Sequence, residues 1–366
     1  MRVGILTHYD VNNQGAQLQL YAMCKVLESL GHTPIVLTYK KNYDFNPELE
    51  LRNQITISSI PYIIKNYLLS KGFFLTLHNV KKWCINKRFR KSRYKFESYC
   101  YANIDAAIVG ADEVFSLELG ANMMMYGHCV NTDNMIAYAP SMGQTDINRI
   151  KKFHCVELIK SGLSKFISLS ARDENTRKTI KTLVDIDAKI VCDPVLLYKF
   201  PIASYSTPVR IPKRDYIVVY SYDARFVDKE EVMAIKQYAY DNNLLTVSPG
   251  TYHGWCDINI ACDALQWLKY IYNAKMVITD TFHGTIASVI MGRPMALYYS
   301  KEINSIKMLD LIDRLGLIDR TMSNVSYDEI CRVMSHPVDW TSLNKKLSDF
   351  RKDSLNYLVA ALNKVK

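Results

Sequence analysis

The sequence lacks any long apolar run. No stretch approaches the roughly 18 uninterrupted apolar residues that a membrane-spanning helix needs, which argues against an integral helical membrane protein. The opening Met1-Arg2-Val3-Gly4-Ile5-Leu6-Thr7 is too short an apolar segment for a signal-peptide core, and polar residues follow at once. The expectation is a soluble, cytoplasmic protein, at most peripheral at the inner face of a membrane. Cys-x-x-Cys pairs are also missing, and the nine cysteines are an odd, scattered set. That argues against a disulfide framework or a zinc ribbon, and predicts a reducing compartment with most thiols in the core. No side-chain cluster has metal-ligand spacing, so neither a metal nor a cofactor is expected. Acidic residues are missing from one long segment. Between Leu51 and Phe96 there are eleven Lys or Arg and no Asp or Glu.

What is present is ordinary for a globular chain. With 366 residues, 49% hydrophobic and 22% charged, the length suits two domains. The formal net charge of +10 is unevenly spread. Its densest part reads Lys87-Arg88-Phe89-Arg90-Lys91-Ser92-Arg93-Tyr94-Lys95-Phe96, preceded by helical spacing in Tyr62-Ile63-Ile64 and Tyr67-Leu68-Leu69 and a break at Gly72. Cations interleaved with aromatics suit an anionic bilayer surface or a polyanionic acceptor, with a solvated helix face as the plain alternative. Specific nucleic-acid recognition is not expected.

Strand and helix patterns take turns along the chain. Val3–Thr7 reads as a strand, Ala16–Leu30 as a helix ended by Gly31, and Pro34–Thr38 as a second strand. Further strands are predicted at 106–110, 135–138, 166–169 and 189–192, with helices at 148–163 and from 174 to about 183. Pro201, Pro208 and Pro212 interrupt the pattern, which then resumes with strands at 216–220, 245–247, 276–279 and 294–298. Helices are predicted at 228–242, around 265–272, at 285–291 and at 343–362. Such alternation implies an α/β fold with parallel sheets. The expected organisation is an N-terminal Rossmann-like domain (1–198), a linker (199–214), a C-terminal Rossmann-like domain (215–340) and a closing amphipathic helix (341–366). A ligand cleft should lie between the two halves, outside the carboxyl ends of their strands.

Three polar constellations follow predicted strands. In Thr7-His8-Tyr9-Asp10-Val11-Asn12-Asn13-Gln14-Gly15-Ala16, Gly15 permits a tight backbone approach and the helix start offers N–H groups to an anion. In Arg172-Asp173-Glu174, a guanidinium leaves a buried strand, suited to gripping a carboxylate or phosphate unless it only pairs with Asp173 or Glu174. In Thr279-Asp280-Thr281-Phe282-His283-Gly284-Thr285, a histidine sits in the turn between strand and helix. There it can bind phosphate or shuttle a proton.

Six segments in this order resemble the polysaccharide pyruvyl transferase family. They are Asn13-Gln14-Gly15-Ala16-Gln17-Leu18-Gln19-Leu20-Tyr21-Ala22, Val109-Gly110-Ala111-Asp112-Glu113-Val114-Phe115, and Tyr138-Ala139-Pro140-Ser141-Met142-Gly143. The others are Ser170-Ala171-Arg172-Asp173-Glu174, Asp193-Pro194-Val195-Leu196-Leu197 and Ile278-Thr279-Asp280-Thr281-Phe282-His283-Gly284-Thr285. The chain departs from the family pattern at Ala111, Glu113 and Phe115, all in one loop.

The resemblance implies a glycosyltransferase-B-like fold. It also implies phosphoenolpyruvate as donor substrate, and a cell-surface polysaccharide or its lipid-linked oligosaccharide precursor as acceptor. Arg172 and His283 carry over as catalytic or donor-binding residues. Asn13, Gln14, Gly15, Asp112, Ser141, Glu174, Thr281, Gly284 and Thr285 are the expected substrate-binding positions. A nucleotide-sugar glycosyltransferase on the same fold is the alternative, although the second domain has no Glu-x7-Glu signature. A non-catalytic module that binds glycan or a membrane surface through residues 51–96 is a third reading.

Overall fold

The computed structural model describes residues 1–46, 72–118, 120–205, 208–299 and 305–366. The helical spacing noted within 62–69 therefore lies outside the described residues, as do two positions of the expected linker.

The short apolar segments form two parallel sheets. Strands β1 (Arg2–Leu6), β2 (Thr33–Thr38), β3 (Phe96–Ser98), β4 (Ala106–Val109), β5 (Met135–Ala137) and β6 (Phe166–Ser168) build the first, ordered β3-β2-β1-β4-β5-β6. Two further strands, β7 (Ser170–Ala171) and β8 (Lys189–Ile190), pair separately in parallel. The second sheet holds β9 (Tyr216–Tyr220), β10 (Leu245–Pro249), β11 (Ile258–Ile260), β12 (Met276–Thr279), β13 (Met295–Tyr298) and β14 (Thr321–Met322), ordered β11-β10-β9-β12-β13-β14. The same order thus occurs twice. In each half the direction of strand addition reverses beside the central strand, opening a crevice between β1 and β4 and another between β9 and β12. Every residue of β4, β9 and β12 is buried, as strands covered on both faces require.

Helix α1 (Gln14–Ser29) explains the glutamines near the start of the chain. Asn13 caps it, its Oδ1 accepting from the Ala16 N–H at 3.1 Å. Gln14, Gln17 and Gln19 are all buried, and each side-chain amide finds an acceptor. Gln14 donates to Cys262 O (2.9 Å), Gln17 to Tyr9 O (2.8 Å), and Gln19 to Thr7 Oγ1 (3.1 Å). A helix buried on all sides must lie between two bodies. One apolar cluster accordingly runs from Val3 and Leu20 to Trp267 and Leu268, joining the two halves into a shared core.

Several boundaries differ from the periodicity. The expected 148–163 helix is two helices, Ile147–Lys152 and Val156–Leu163. His154 between them adopts a positive φ of 54°, and Phe153 leaves the helical path to stack on Phe45 at 3.9 Å. The expected 285–291 helix starts three residues earlier, at Phe282, because the Thr281 hydroxyl caps it by accepting from the Gly284 N–H at 3.0 Å. The strand predicted at 189–192 ends at Ile190, and Asp193 then caps the short helix Pro194–Leu197. Helices Ser305–Leu315 and Tyr327–Ser335 have no counterpart in the sequence reading, and the basic segment, read there as a helix face only in the plain alternative, forms the helix Phe73–Arg93. Gly31 does follow the end of α1, with a φ of 80°.

The closing helix, Trp340–Leu362, returns to the first half. Its Ser354 hydroxyl accepts from the Cys192 N–H (2.8 Å), and Tyr357 donates to Ala137 O (2.9 Å). Five of the nine cysteines, at positions 24, 155, 192, 256 and 262, are buried, while Cys84 and Cys129 are exposed.

Candidate active site

The two crevices face one another and enclose a cavity of about 320 Å³. The loop after β1 contributes His8, Val11 and Asn13, and the segment after β4 contributes Asp112 and Glu113. From the second half, Tyr222 follows β9, and Thr281, Phe282 and His283 follow β12. Gly110 makes the turn after β4 possible. Its φ is 129°, and a Cβ there would lie 2.0 Å from Tyr138 O.

Arg172 enters the cavity from the end of β7. It is 5% exposed, and its guanidinium lies 4.7 Å from the centre of the Phe282 ring. Its Nη1 is 3.4 Å from Asp193 Oδ2 and 3.7 Å from Asp112 Oδ1, while its Nε has no protein partner. Arg172 is therefore not held by Asp173 or Glu174. Asp173 caps helix Glu174–Val184 and takes the Ser141 hydroxyl (2.6 Å), and Glu174 pairs with Arg177 and Arg314.

Asp193 is the junction of the site. Its Oδ1 accepts from the Val195 N–H at 2.9 Å, which leaves Oδ2 facing both Arg172 and His283. His283 Nε2 lies 3.7 Å from that oxygen and makes no hydrogen bond. The ring sits in the first turn of its helix, not in the preceding turn as the sequence suggested. It packs directly on α1, where a Cβ at Gly15 would lie 2.2 Å from His283 Cγ. The glycine that was expected to let an anion approach lets this ring approach instead.

The charges are interdependent. Burial pushes the Asp112 carboxyl up, but Arg172, then His283, His8 and Lys307 outweigh it and hold it well below the usual carboxylate range. Burial alone would weaken the Arg172 charge, whereas Asp112 and Asp193 more than restore it. Burial lowers His8, which lies between the Tyr39 hydroxyl and Glu113 O, each at 3.3 Å. Lys307 pairs with Glu113 across the halves (2.5 Å), and Arg225 pairs with Asp280 (2.6 Å). A cleft holding an arginine, a lysine and two imidazoles can bind an anion and move protons at it. Among the described residues, no group of three or more His, Cys, Asp or Glu side chains is placed to hold a metal ion.

The expected site residues fall into four groups. Asn13, Asp112, Arg172, Thr281 and His283 line the cavity. Gly15 and Gly284 lie behind it. A Cβ on Gly284 would meet Thr279 Oγ1 at 2.2 Å, and its N–H is taken by the Thr281 cap. Ser141, Glu174 and Thr285 do not line it. Ser141 and Thr285 are buried in hydrogen bonds to Asp173 and to Thr281 O. Gln14 lines a neighbouring cavity, also about 320 Å³, together with Lys82, Ser221, Asp223, Gly250 and Thr251. Asn13, Tyr220, Tyr222 and Thr281 are common to both cavities. Sequence reasoning missed Asp193, although it stands in one of the matched segments. It also missed His8 and Lys307; Lys307 lies in no motif.

The sequence signature of the family described as polysaccharide pyruvyl transferase matches residues 13–302. No curated protein matches the chain. Among solved structures, a putative UDP-N-acetylglucosamine 2-epimerase from Listeria monocytogenes superposes with a TM-score of 0.54 at 10% identity, covering 99% of this chain and 95% of that one. UDP-GlcNAc 2-epimerase from Neisseria meningitidis bound to UDP-GlcNAc gives 0.48 at 10% identity, with 100% of both chains covered. The glycosyltransferase SnogD from Streptomyces nogalater gives 0.47 at 12% identity, over 98% of this chain and 99% of that one. At 10% identity the likeness to the Listeria protein is one of fold alone, that of two Rossmann-like halves.

Proposed function

Because the chain belongs to the polysaccharide pyruvyl transferase family, we propose that it moves the pyruvyl group of phosphoenolpyruvate onto sugar hydroxyls as a ketal, releasing phosphate. The acceptor is a cell-surface polysaccharide or its precursor. One observation carries the reading: Arg172 from the first half and His283 from the second converge on Asp193 Oδ2 at a single cavity. A donor with a carboxylate and a phosphate needs a cation with spare donor capacity and a group able to exchange protons. Arg172, with its unpartnered Nε, and His283 answer both needs.

The chemistry assigns the roles. Protonation of the donor's methylene carbon makes a methyl group and leaves oxocarbenium character at C2. One sugar hydroxyl adds there and loses its proton. Phosphate then departs with the C–O bonding pair, and a second hydroxyl adds and closes the ketal. One released proton replaces the one donated, and the other leaves on phosphate. His283 is the acid and base of this sequence, while Arg172 holds the donor's anionic groups. The neighbouring cavity, with its hydroxyl and amide lining, receives the acceptor sugar.

A thermal-shift experiment tests the donor. Phosphoenolpyruvate should raise the melting temperature, since a ligand that binds only the folded state stabilises it. Phosphate should then appear when a suitable glycosyl acceptor is added. A shift with UDP-sugars and none with phosphoenolpyruvate would replace this reading with the nucleotide-sugar glycosyltransferase.

A further inference from the structure

Helix Phe73–Arg93 has two faces of opposite character. Its inner face, His78, Lys82, Asn86 and Phe89, is buried at successive helical turns and reaches both halves of the protein. Lys82 Nζ donates to Gly250 O (3.0 Å), and Asn86 Nδ2 donates to Asn12 Oδ1 (2.5 Å). The outer face of a helix in water should be polar. The first part of this one is not. Phe73 is 63% exposed, Phe74 71%, Leu77 54%, Val80 55% and Trp83 44%. Phe73, Leu77 and Val80 are spaced at i, i+4 and i+7, so they share one stripe, which Phe74 and Trp83 flank.

The cations of the same segment sort by face. Lys82 is turned inward, and Arg90 lies half-buried with Nη1 3.5 Å from Val11 O. Lys87, Arg88 and Lys91 are exposed and continue the outer face beyond the apolar stripe. None of the three pairs with a carboxylate among the described residues, and Lys87 Nζ stands 4.8 Å from the centre of the Trp83 ring. There is no Asp or Glu from Leu51 to Phe96 to supply one locally.

We propose that this outer face docks on an anionic lipid bilayer. The aromatic and aliphatic side chains enter the headgroup boundary, and Lys87, Arg88 and Lys91 meet lipid phosphates. An exposed apolar stripe continued by unpaired cations is the pairing that interfacial helices use, adding buried apolar area to attraction for anionic lipid. A second copy of the chain would complement it poorly, because the same acid-free face offers those cations no carboxylate. The helix is about 31 Å long, enough to lie along the surface as one element. Its inner residue Lys82 lines the second cavity, so docking leaves the helix, about 10 Å across, between that cavity and the membrane. That a lipid-linked acceptor then reaches the cavity rests on the proposed function; the docking does not.

Sedimentation with vesicles tests this without any assay of turnover. The wild-type protein should pellet with phosphatidylcholine–phosphatidylglycerol vesicles at low salt and stay in solution with phosphatidylcholine alone. Trp83 emission should shift to the blue on the anionic vesicles, and the shift should vanish in Trp83→Phe. Combined Phe73→Ser, Phe74→Ser and Leu77→Ser, or combined Lys87→Gln, Arg88→Gln and Lys91→Gln, should each lower partitioning at least about tenfold at an unchanged melting temperature. Should the triple-serine protein not fold, Leu77→Asp alone replaces it. Wild type remaining in solution with anionic vesicles, or variants that pellet like wild type, would overturn the proposal. So would a vesicle-free dimer that the serine substitutions convert to monomer, because the face would then be an interface between copies.

Discussion

The Cα of Gly15 and the ring of His283 occupy neighbouring space across the two halves of the molecule: a Cβ on Gly15 would fall 2.2 Å from His283 Cγ and 2.4 Å from its Nδ1. The position of the imidazole is set by a missing side chain on another domain. Gly15→Ala should therefore displace His283 without removing any polar side chain from the site. We expect a stability loss of about 1–3 kcal/mol, the usual scale for overpacking, together with a large fall in turnover. Melting curves and phosphate release from phosphoenolpyruvate measure the two effects. An alanine variant with unchanged melting and activity would mean that the ring has room to move.

Removing Arg172 should hurt the fold as well as the donor site. Arg172→Ala strands Asp193, whose side chain is fully buried, and releases Asp112 from the cation that most lowers its pKa. Breaking a buried pair in this way costs about 3–5 kcal/mol. The Asp112 carboxyl is depressed in the folded state, so its stabilisation is present above the ordinary carboxylate range and is lost as pH falls through the lowered value. The melting gap between wild type and Arg172→Ala should accordingly narrow below about pH 4. Arg172→Lys should recover part of the stability but less of the donor affinity, since an ammonium has no planar fork. A gap that is flat with pH would show that Asp112 does not depend on Arg172.

His283→Ala and His283→Gln separate proton transfer from phosphate binding. Because the ring packs on α1 and is not in an open loop, alanine should cost about 1 kcal/mol of stability. Turnover should fall roughly 100-fold or more in both variants if His283 exchanges protons. Unchanged donor affinity, read by thermal shift with phosphoenolpyruvate, assigns it to proton transfer; weakened affinity with a small loss of turnover assigns it to phosphate. Full activity in both variants would remove His283 from the mechanism.

Buried histidines should make the protein sensitive to mild acid. Burial, helped by the Lys82 charge, lowers His78 to about 4, and burial also lowers His8 and His253. A folded pKa below the unfolded one means that stabilisation is complete above the unfolded value and is lost as pH falls towards the folded one. Melting temperature should thus decline between about pH 7 and about pH 4, and His78→Gln should flatten part of that decline. An identical slope in the variant would show that His78 is not among the groups responsible.

Much of the local structure was legible. Strands betray themselves by short apolar runs, and α1 by its spacing and by Gly31 at its end. The segment at Thr281–Thr285 was visible as strand, polar turn and helix. The helix start was misplaced there, because a threonine hydroxyl capping the Gly284 N–H is a bond that periodicity does not display. The break at His154 was missed for a similar reason: it turns on Phe153 meeting Phe45, far away in sequence. In the basic segment, composition gave the charge correctly but could not say that Lys82 faces inward while Lys87, Arg88 and Lys91 face out.

What the sequence determined by itself was the succession of strands and helices, the presence of two similar halves, and the loops that could carry chemistry. These depend on side-chain periods of two and 3.6 residues, which are local and therefore written along the chain. Only the tertiary structure decided which loops meet. Arg172, Asp193 and His283 come from three separate segments. They converge because the β7–β8 pair delivers Arg172 and Asp193 side by side, and the second half packs so that His283, after β12, meets them. Strand order and docking depend on long-range burial and on close approaches such as Gly15 against His283, and neither has a period to read.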